Sequence, residues 1–398
     1  MTPFSITGIG LVSPLGVGYP AFVRELGAWV NAPRDLFSGH ESLLDQAKVE
    51  APMAAECTSF DAKEFLGDKG LRNHDRLTKF LLVSGKLALE DAGLKEAGTH
   101  RLAPERIGVC SATAYGSLEA VTEAVQVTEL EDPRFLNPNR FPNTVMNSSA
   151  AYVSIWEDLR AANVTVVNGN CGSLDAVLSA ETHLLNDRAD VFLVGGGEAL
   201  SEALYVAFRK LNVIADTTRT FAPGSAHSQG MRLGEGAAYL SIERAGFARA
   251  RGARVRADII GYGNAFDAPA SEARLVHVST DALTRAIDMA LRDADLSPDQ
   301  IDVVASGLCG VAEFDSRELA AINAIARRDL PVAAPKVIYG ETFGAGGVLA
   351  TACALAWFDG VPVAPLVQGQ VNGPIRHVLV TAVGYYGNAS ALILRKAL

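Results

Sequence analysis

Short apolar runs rich in β-branched residues alternate with helical stretches along most of the 398 residues. Runs such as residues 4–9, 164–167 and 377–383 are typical of buried strands. In the stretches 77–91 and 281–293, apolar residues recur every third or fourth position, which predicts amphipathic helices. This alternation predicts an α/β fold built from packed layers of helix and sheet.

The composition narrows the classes of function that need consideration. Apolar residues make up 49% of the chain, so a large core is expected. The 45 acidic and 35 basic residues give a net charge of −10 without any Lys/Arg run, which argues against nucleic-acid binding. No apolar run reaches the roughly 18 residues of a membrane span, and the N-terminal residues lack the basic segment of a signal peptide. We therefore expect a cytoplasmic protein that does not bind membranes.

The five cysteines, Cys57, Cys110, Cys171, Cys309 and Cys353, show no paired spacing. They predict neither a disulfide framework nor a metal site, and no dissociable cofactor is implied.

Residues 164–176 read VTVVNGNCGSLDA, a strand followed by a tight turn and a helix. Cys171 lies where that helix would begin, and a helix N-terminus lowers the pKa of a thiol and favours its thiolate. One interpretation is therefore an acyl-accepting nucleophile on a strand–helix elbow. The other is a cysteine that packs as a small apolar side chain. Spacing alone leaves both open.

Several segments occur in the order typical of one enzyme family. They are 6–16 (ITGIGLVSPLG), 229–237 (QGMRLGEGA), 252–263 (GARVRADIIGYG), 336–340 (KVIYG) and 384–391 (GYYGNASA). In these segments the chain resembles the β-ketoacyl synthases of the thiolase fold. The resemblance implies a thiolase-like α-β-α-β-α sandwich of two similar halves. We place the halves at residues 1–250, which carry the elbow, and 251–398.

The family's chemistry uses an acyl-accepting cysteine and two histidines, which promote decarboxylation of a malonyl thioester and stabilise the enolate. The position of the first histidine holds Gly307 here. The two threonines that usually bind the pantetheine arm are replaced by Cys309 and Val311. The second histidine lies five residues after the motif lysine, which is Lys336, and this position holds Glu341. The resemblance thus implies a site without its imidazoles.

The nucleophile position is ambiguous by one residue. A gapless count from the following helix places it on Asn170, and a one-residue deletion places it on Cys171. We favour Asn170 because the gapless count keeps the preceding strand in phase. Glu341 would also repel a malonyl carboxylate by about 4 kcal/mol at ~4 Å and an effective dielectric of ~20. A standard condensing activity of the chain alone is therefore not expected.

One branch of the family shares these losses. The chain length factors, or ketosynthase β-subunits of type II polyketide synthases, pair with an active ketosynthase α-subunit and shape the acyl tunnel. The resemblance implies that partner, with an acyl carrier protein reached through the complex, in polyketide or fatty-acid-like biosynthesis. Residues 115–128 would wall the tunnel, and Tyr385 holds the place of the gatekeeper aromatic residue. Residues of the subunit interface would include Thr144, Val145, Met146 and Asn147.

Two other functions stay open from the sequence. The first is an acyltransferase of altered chemistry, in which Cys171 is the nucleophile and Glu341 the acid or base. The second is a homodimeric scaffold that binds an acyl chain without processing it. Each site residue also has a structural interpretation. Glu341 could be an ion-pair partner, Lys336 could hold the Gly340 loop by hydrogen bonds, and Tyr385 could be a core aromatic residue.

Overall fold

The computed structural model describes residues 3–37, 42–45, 47–49, 51–271, 276–325 and 329–397. The strands within these ranges are β1 (Phe4–Ser13), β2 (Gly16–Val17), β3 (Ala54–Ala55), β4 (Lys95–Glu96), β5 (Thr99–His100), β6 (Ile107–Ala112), β7 (Asn163–Val166), β8 (Val191–Glu198), β9 (Leu233–Gly234), β10 (Gly236–Arg244), β11 (Ala257–Phe266), β12 (Val303–Ala305), β13 (Val332–Ala333), β14 (Leu366–Gln368), β15 (His377–Val383) and β16 (Asn388–Lys396). The α-helices are α1 (Tyr19–Asn31), α2 (Lys63–Leu66), α3 (Arg76–Asp91), α4 (Leu118–Leu130), α5 (Ser148–Glu157), α6 (Gly172–Leu185), α7 (Glu202–Lys210), α8 (Ala245–Ala250), α9 (Thr280–Ala294), α10 (Ala312–Ile325), α11 (Lys336–Tyr339) and α12 (Gly346–Phe358).

The main sheet contains the same strand order twice. Apart from the edge strand β14 and the short strand β2, the first half runs β7-β6-β8-β10-β1 and the second runs β13-β12-β15-β16-β11, so both read 3-2-4-5-1 when these five strands of each half are numbered along the chain. In both halves the second strand is parallel to its two neighbours and the remaining pairs are antiparallel. The halves join where residues 4–6 of β1 pair with residues 257–259 of β11. The expectation of two similar halves is confirmed, while the boundary near residue 250 stays a prediction.

Helices complete the layers around these strands. The central helices α6 and α12 contact each other, and each also contacts strands from both halves. Helices α3 and α5 cover the outer face of the first half, and α9 and α10 cover the second. Every residue of α12 is buried. The expected α-β-α-β-α arrangement is therefore confirmed.

Close packing of the outer helices on the sheet explains why glycine occupies certain positions in β1 and β11. A Cβ atom at Gly10 would lie 2.2 Å from the carbonyl oxygen of Ser84 in α3. A Cβ atom at Gly263 would lie 2.1 Å from the carbonyl oxygen of Ala286 in α9. Only glycine permits this approach, and it recurs at the equivalent strand of each half.

The helices expected from periodicity are present, as α3 and α9 span nearly the predicted stretches. Within the described ranges we find no helix whose length and apolar character would suffice to cross a bilayer.

Candidate functional site

The predicted strand–turn–helix elbow is confirmed. Strand β7 ends at Val166, the turn Gly169–Cys171 follows, and α6 begins at Gly172. Gly169 adopts a φ of 56°, a left-handed conformation that glycine reaches without strain. The turn buries two neighbouring side chains, Asn170 and Cys171, at the start of the central helix.

These two side chains point to different partners. The Asn170 amide is hydrogen-bonded to the phenol of Tyr385. The Cys171 Sγ atom lies 3.5 Å from the carbonyl oxygen of Ala382, and the side chain packs in the main core. Burial, reinforced by the nearby charge of Asp175, raises the pKa of the Cys171 thiol. The lowered pKa expected from the helix N-terminus is therefore wrong, because desolvation of the thiolate outweighs the helix dipole.

Glu341 is surrounded by hydrogen-bond donors. Its Oε2 atom lies 2.7 Å from Nζ of Lys336 and accepts from the phenol of Tyr385 at 2.9 Å. Its Oε1 atom accepts from the backbone N–H of Phe343 at 2.8 Å. Only 1% of the residue's surface is exposed. Both oxygens of the Glu341 carboxylate are thus bound by donors of the protein itself.

Lys336 completes a buried ion pair. It is 4% exposed, and its Nζ atom also donates to the carbonyl oxygen of Gly307 at 3.0 Å. Burial alone would lower the pKa of Lys336, but the adjacent charge of Glu341 raises it on balance. The contacts therefore run from Gly307 through Lys336, Glu341 and Tyr385 to Asn170. We call these five residues the Glu341 network.

Glu318 is a site residue that the sequence did not reveal. Its Oε1 atom accepts from the backbone N–H of Gly307 at 2.7 Å and from the hydroxyl of Thr381 at 2.6 Å. Burial raises the pKa of Glu318 to about 7. A Cβ atom on Gly307 would lie 3.3 Å from the Thr381 carbonyl oxygen and 3.4 Å from Glu318 Oε2. Its place in the site was not among the sequence predictions.

A cleft of about 670 Å³ reaches this network from the surface. Its walls include the apolar residues Met231 and Val311. Five aromatic and three polar residues also line it, and these are Tyr115, Phe208, Phe314, Tyr385 and Tyr386, and His277, Glu313 and Arg317. Cys309 is buried beside the cleft, and its N–H donates to Asp315 at 2.8 Å. At Val311 the wall therefore offers an isopropyl group where the resemblance implies a threonine hydroxyl, and Cys309 is buried at the other position.

The predicted interface residues lie between α4 and α5. Thr144 lines a surface groove, and the side chain of Val145 is 51% exposed. Met146 is half-buried, and Asn147 is exposed just before α5 begins. Their role in contact with a partner stays a prediction.

Comparison with known proteins matches two family models to successive parts of the chain. Residues 1–248 match the family model of the β-ketoacyl synthase N-terminal domain, and residues 256–367 match that of the C-terminal domain. "Putative polyketide beta-ketoacyl synthase 2" of Streptomyces coelicolor is 30% identical, over 98% of this chain and 94% of that protein. "3-oxoacyl-[acyl-carrier-protein] synthase 2" of Coxiella burnetii is 28% identical, over 87% and 83% respectively.

Among solved structures, "The ishigamide ketosynthase/chain length factor" superposes with a TM-score of 0.84 at 22% identity, and all of both chains is covered. At this identity the likeness concerns the fold. Together with the family matches over both halves and the geometry of the elbow, it leads to one conclusion: the chain belongs to the β-ketoacyl synthase family.

Proposed function

We propose that this chain is a chain length factor, a ketosynthase β-subunit that does not condense substrates itself and pairs with an active ketosynthase. One observation carries the proposal. The Glu341 network joins the nucleophile position and both histidine positions in a single set of buried hydrogen bonds. The residues at these positions bind one another and leave no group free for the family's chemistry.

Condensation requires the very groups that are missing at these positions. The reaction needs a thiolate that accepts the acyl group and neutral N–H donors directed at the developing enolate. Asn170 supplies an amide, which is not a nucleophile, and Gly307 supplies no side chain. Glu341 accepts hydrogen bonds where an imidazole would donate them. Loss of one preorganised donor typically costs about 10²–10³ in rate, and both imidazoles are replaced here.

The charges explain why the emptied site stays folded. A lone buried lysine or glutamate is strongly unfavourable, and each compensates the other here. Because Lys336 and Glu341 are paired and buried, neither charge is available to bind a malonyl carboxylate. The ion pair therefore stabilises the structure and takes no part in substrate binding.

The same geometry weighs against the acyltransferase of altered chemistry. Because burial raises the pKa of the Cys171 thiol, the side chain is a neutral thiol at neutral pH. Its Sγ atom faces the Ala382 carbonyl, while Glu341 is engaged by Lys336 and Tyr385. A nucleophile and base that act together need a shared hydrogen bond or an equivalent contact.

The comparisons support the proposed partner. A relative named as a polyketide β-ketoacyl synthase 2 covers nearly the whole chain, and a structure named as a ketosynthase/chain length factor shares its fold. We infer a heterodimer with a ketosynthase α-subunit, with an acyl carrier protein reached through that complex. We also infer a cytoplasmic location, because the five cysteines are free and buried, as a reducing compartment allows.

Coexpression with an active ketosynthase α-subunit from the same genome tests the proposal. Native mass spectrometry should show a 1:1 complex, and condensation of malonyl thioesters should require that ketosynthase. A complex in which only the ketosynthase's nucleophilic cysteine is replaced should be inactive, although this chain is intact. Condensation by the purified chain alone would refute the proposal.

A further inference from the structure

The cleft beside the Glu341 network has walls suited to one class of small molecule. Its volume of about 670 Å³ lies within the range of pockets that bind small ligands. Tyr115 and Phe208 line it from the first half of the fold, and Phe314, Tyr385 and Tyr386 line it from the second. Because aromatic rings pack well on one another in stacked or edge-on geometry, walls of this kind favour a flat aromatic ligand.

Contacts among the rings hold these walls in place. The ring centroids of Phe314 and Tyr385 are 5.2 Å apart, and their planes are inclined by 36°. The ring of Tyr115 packs edge-on against Phe208 at 6.1 Å and against the buried Phe343 at 5.2 Å. Walls that are ordered before binding lose little conformational freedom when a rigid ligand enters.

Several polar groups beside the cleft are already bound by the protein itself. The Tyr385 hydroxyl donates to Glu341. The Arg317 guanidinium donates to Glu313 and to the carbonyl oxygen of Val278. These groups offer little to a ligand with several amides, such as the pantetheine arm, which would lose hydrogen bonds to water on entering.

His277 is the exception among the polar residues of the wall. Its side chain is 12% exposed, and its Nδ1 atom is buried without a hydrogen-bond partner in the described part of the chain. Its Nε2 atom lies 3.3 Å from Oδ2 of Asp267, which favours the tautomer that carries the proton on Nε2. In that tautomer Nδ1 is an acceptor that needs a donor.

The His277 imidazole is held in position by its surroundings. Its backbone N–H donates to the carbonyl oxygen of Tyr385 at 2.8 Å. A Cβ atom on Gly387 would lie 3.0 Å from Cδ2 of the imidazole, so the glycine loop packs closely on the ring. The Ser279 hydroxyl donates to Asp267 at 2.6 Å and fixes the carboxylate beside Nε2. A single fixed acceptor next to aromatic walls suits a ligand with one hydroxyl donor.

We propose that the cleft binds a flat aromatic molecule with a hydroxyl group. The ligand stacks against the rings of the walls and donates a hydrogen bond to His277, after a small rotation of the imidazole uncovers Nδ1. The inference rests on the proposed function in one respect, because it takes the cleft as no longer used for condensation. It adds a ligand class to this site, a phenol in place of an acyl thioester.

Titration of the purified full chain with 1-naphthol tests the proposal. This probe has two fused rings and one hydroxyl, and calorimetry should show one binding site per chain. The matched probe 1-methoxynaphthalene cannot donate a hydrogen bond and should bind about tenfold more weakly. Pantetheine should also bind more weakly than 1-naphthol. No binding of 1-naphthol, equal binding of the two naphthalenes, or tighter binding of pantetheine would overturn the proposal.

Three variants separate the hydrogen bond from the stacking. H277F keeps a ring but removes the acceptor, so it should weaken 1-naphthol about tenfold and leave 1-methoxynaphthalene unchanged. F314A removes a ring of the wall and should weaken both probes. The control F60A removes a half-buried ring that packs on Phe80 outside the cleft, and it should change neither. Wild-type affinity of H277F for 1-naphthol, or of F314A for both probes, would contradict these roles.

The outcome for this site is distinct from that for the proposed function. Condensation by the chain alone would refute the proposed function. A chain that neither condenses malonyl thioesters nor binds 1-naphthol would refute only the present inference. The comparison of probes on the wild type needs no variant, so it stands even where a substitution impairs folding.

Discussion

Replacing Lys336 by methionine should destabilise the fold by about 3–5 kcal/mol. Methionine preserves the length and apolar stem of lysine but removes the ammonium group. Glu341 would then be a buried carboxylate, 1% exposed, with two of its three donors left. Breaking a buried ion pair from one side costs this much because the remaining charge is uncompensated.

The double variant K336M/E341M separates the charge effect from packing. Both charges are removed, and apolar residues of similar volume often replace a buried ion pair at little net cost. We therefore expect the double variant to be more stable than K336M. The Gly307 carbonyl still loses its donor in both variants, which contributes about 1 kcal/mol to each.

Chemical denaturation followed by circular dichroism measures these differences at pH 7. The control K63M disrupts an exposed pair with Asp68, in which the lysine side chain is 61% exposed, and should cost less than about 1 kcal/mol. If K336M were no more destabilising than K63M, or if the double variant were no more stable than K336M, the ion pair would not be the stabilising element of the site.

Four further predictions concern neighbouring residues. Y385F removes the hydroxyl that links Asn170 to Glu341 and should lower the free energy of unfolding by about 1–2 kcal/mol in urea titrations. The pKa of Glu318 is raised from 4.5 to about 7, so its stabilising contribution is present below pH 4.5 and is lost as the pH rises through 7. Glu318 should contribute a fall of about 1.4 kcal/mol per pH unit to the free energy of unfolding across that window, and E318Q should remove this contribution. G307H should lower stability by about 1–3 kcal/mol without creating condensing activity, since the position is crowded. Iodoacetamide at pH 8 should leave Cys171 unmodified in the native protein and label it in urea; labelling of the native protein would contradict its burial.

The elbow could be predicted from the sequence because it follows from local order, whereas the altered positions come from the family resemblance and stay predictions. A strand, a glycine turn and a helix in succession fix the elbow, and counting from Lys336 finds Glu341. A gapless count back from the following helix predicts Asn170 at the nucleophile position, and in the structure its amide is hydrogen-bonded to Tyr385. Such inferences depend on neighbours along the chain and need no knowledge of tertiary contacts.

The bonds that close the site could not be predicted in this way. Tyr385 reaches Glu341 across 44 residues, and Lys336 reaches the Gly307 carbonyl across 29. Helix α12 is also absent from the predicted elements. All its residues are buried, so it lacks the polar face that reveals a helix by its periodicity. These features depend on tertiary packing, and the local sequence pattern does not indicate them.

We propose that the ketosynthase scaffold persists in this chain without its condensing chemistry. In a direct test, the purified chain is incubated with malonyl and acyl thioesters of an acyl carrier protein, and carbon dioxide release and intact protein mass are followed together. We expect no carbon dioxide above the protein-free control and no added acyl mass. Release of carbon dioxide by the chain alone, or an acyl group on Cys171, would contradict it.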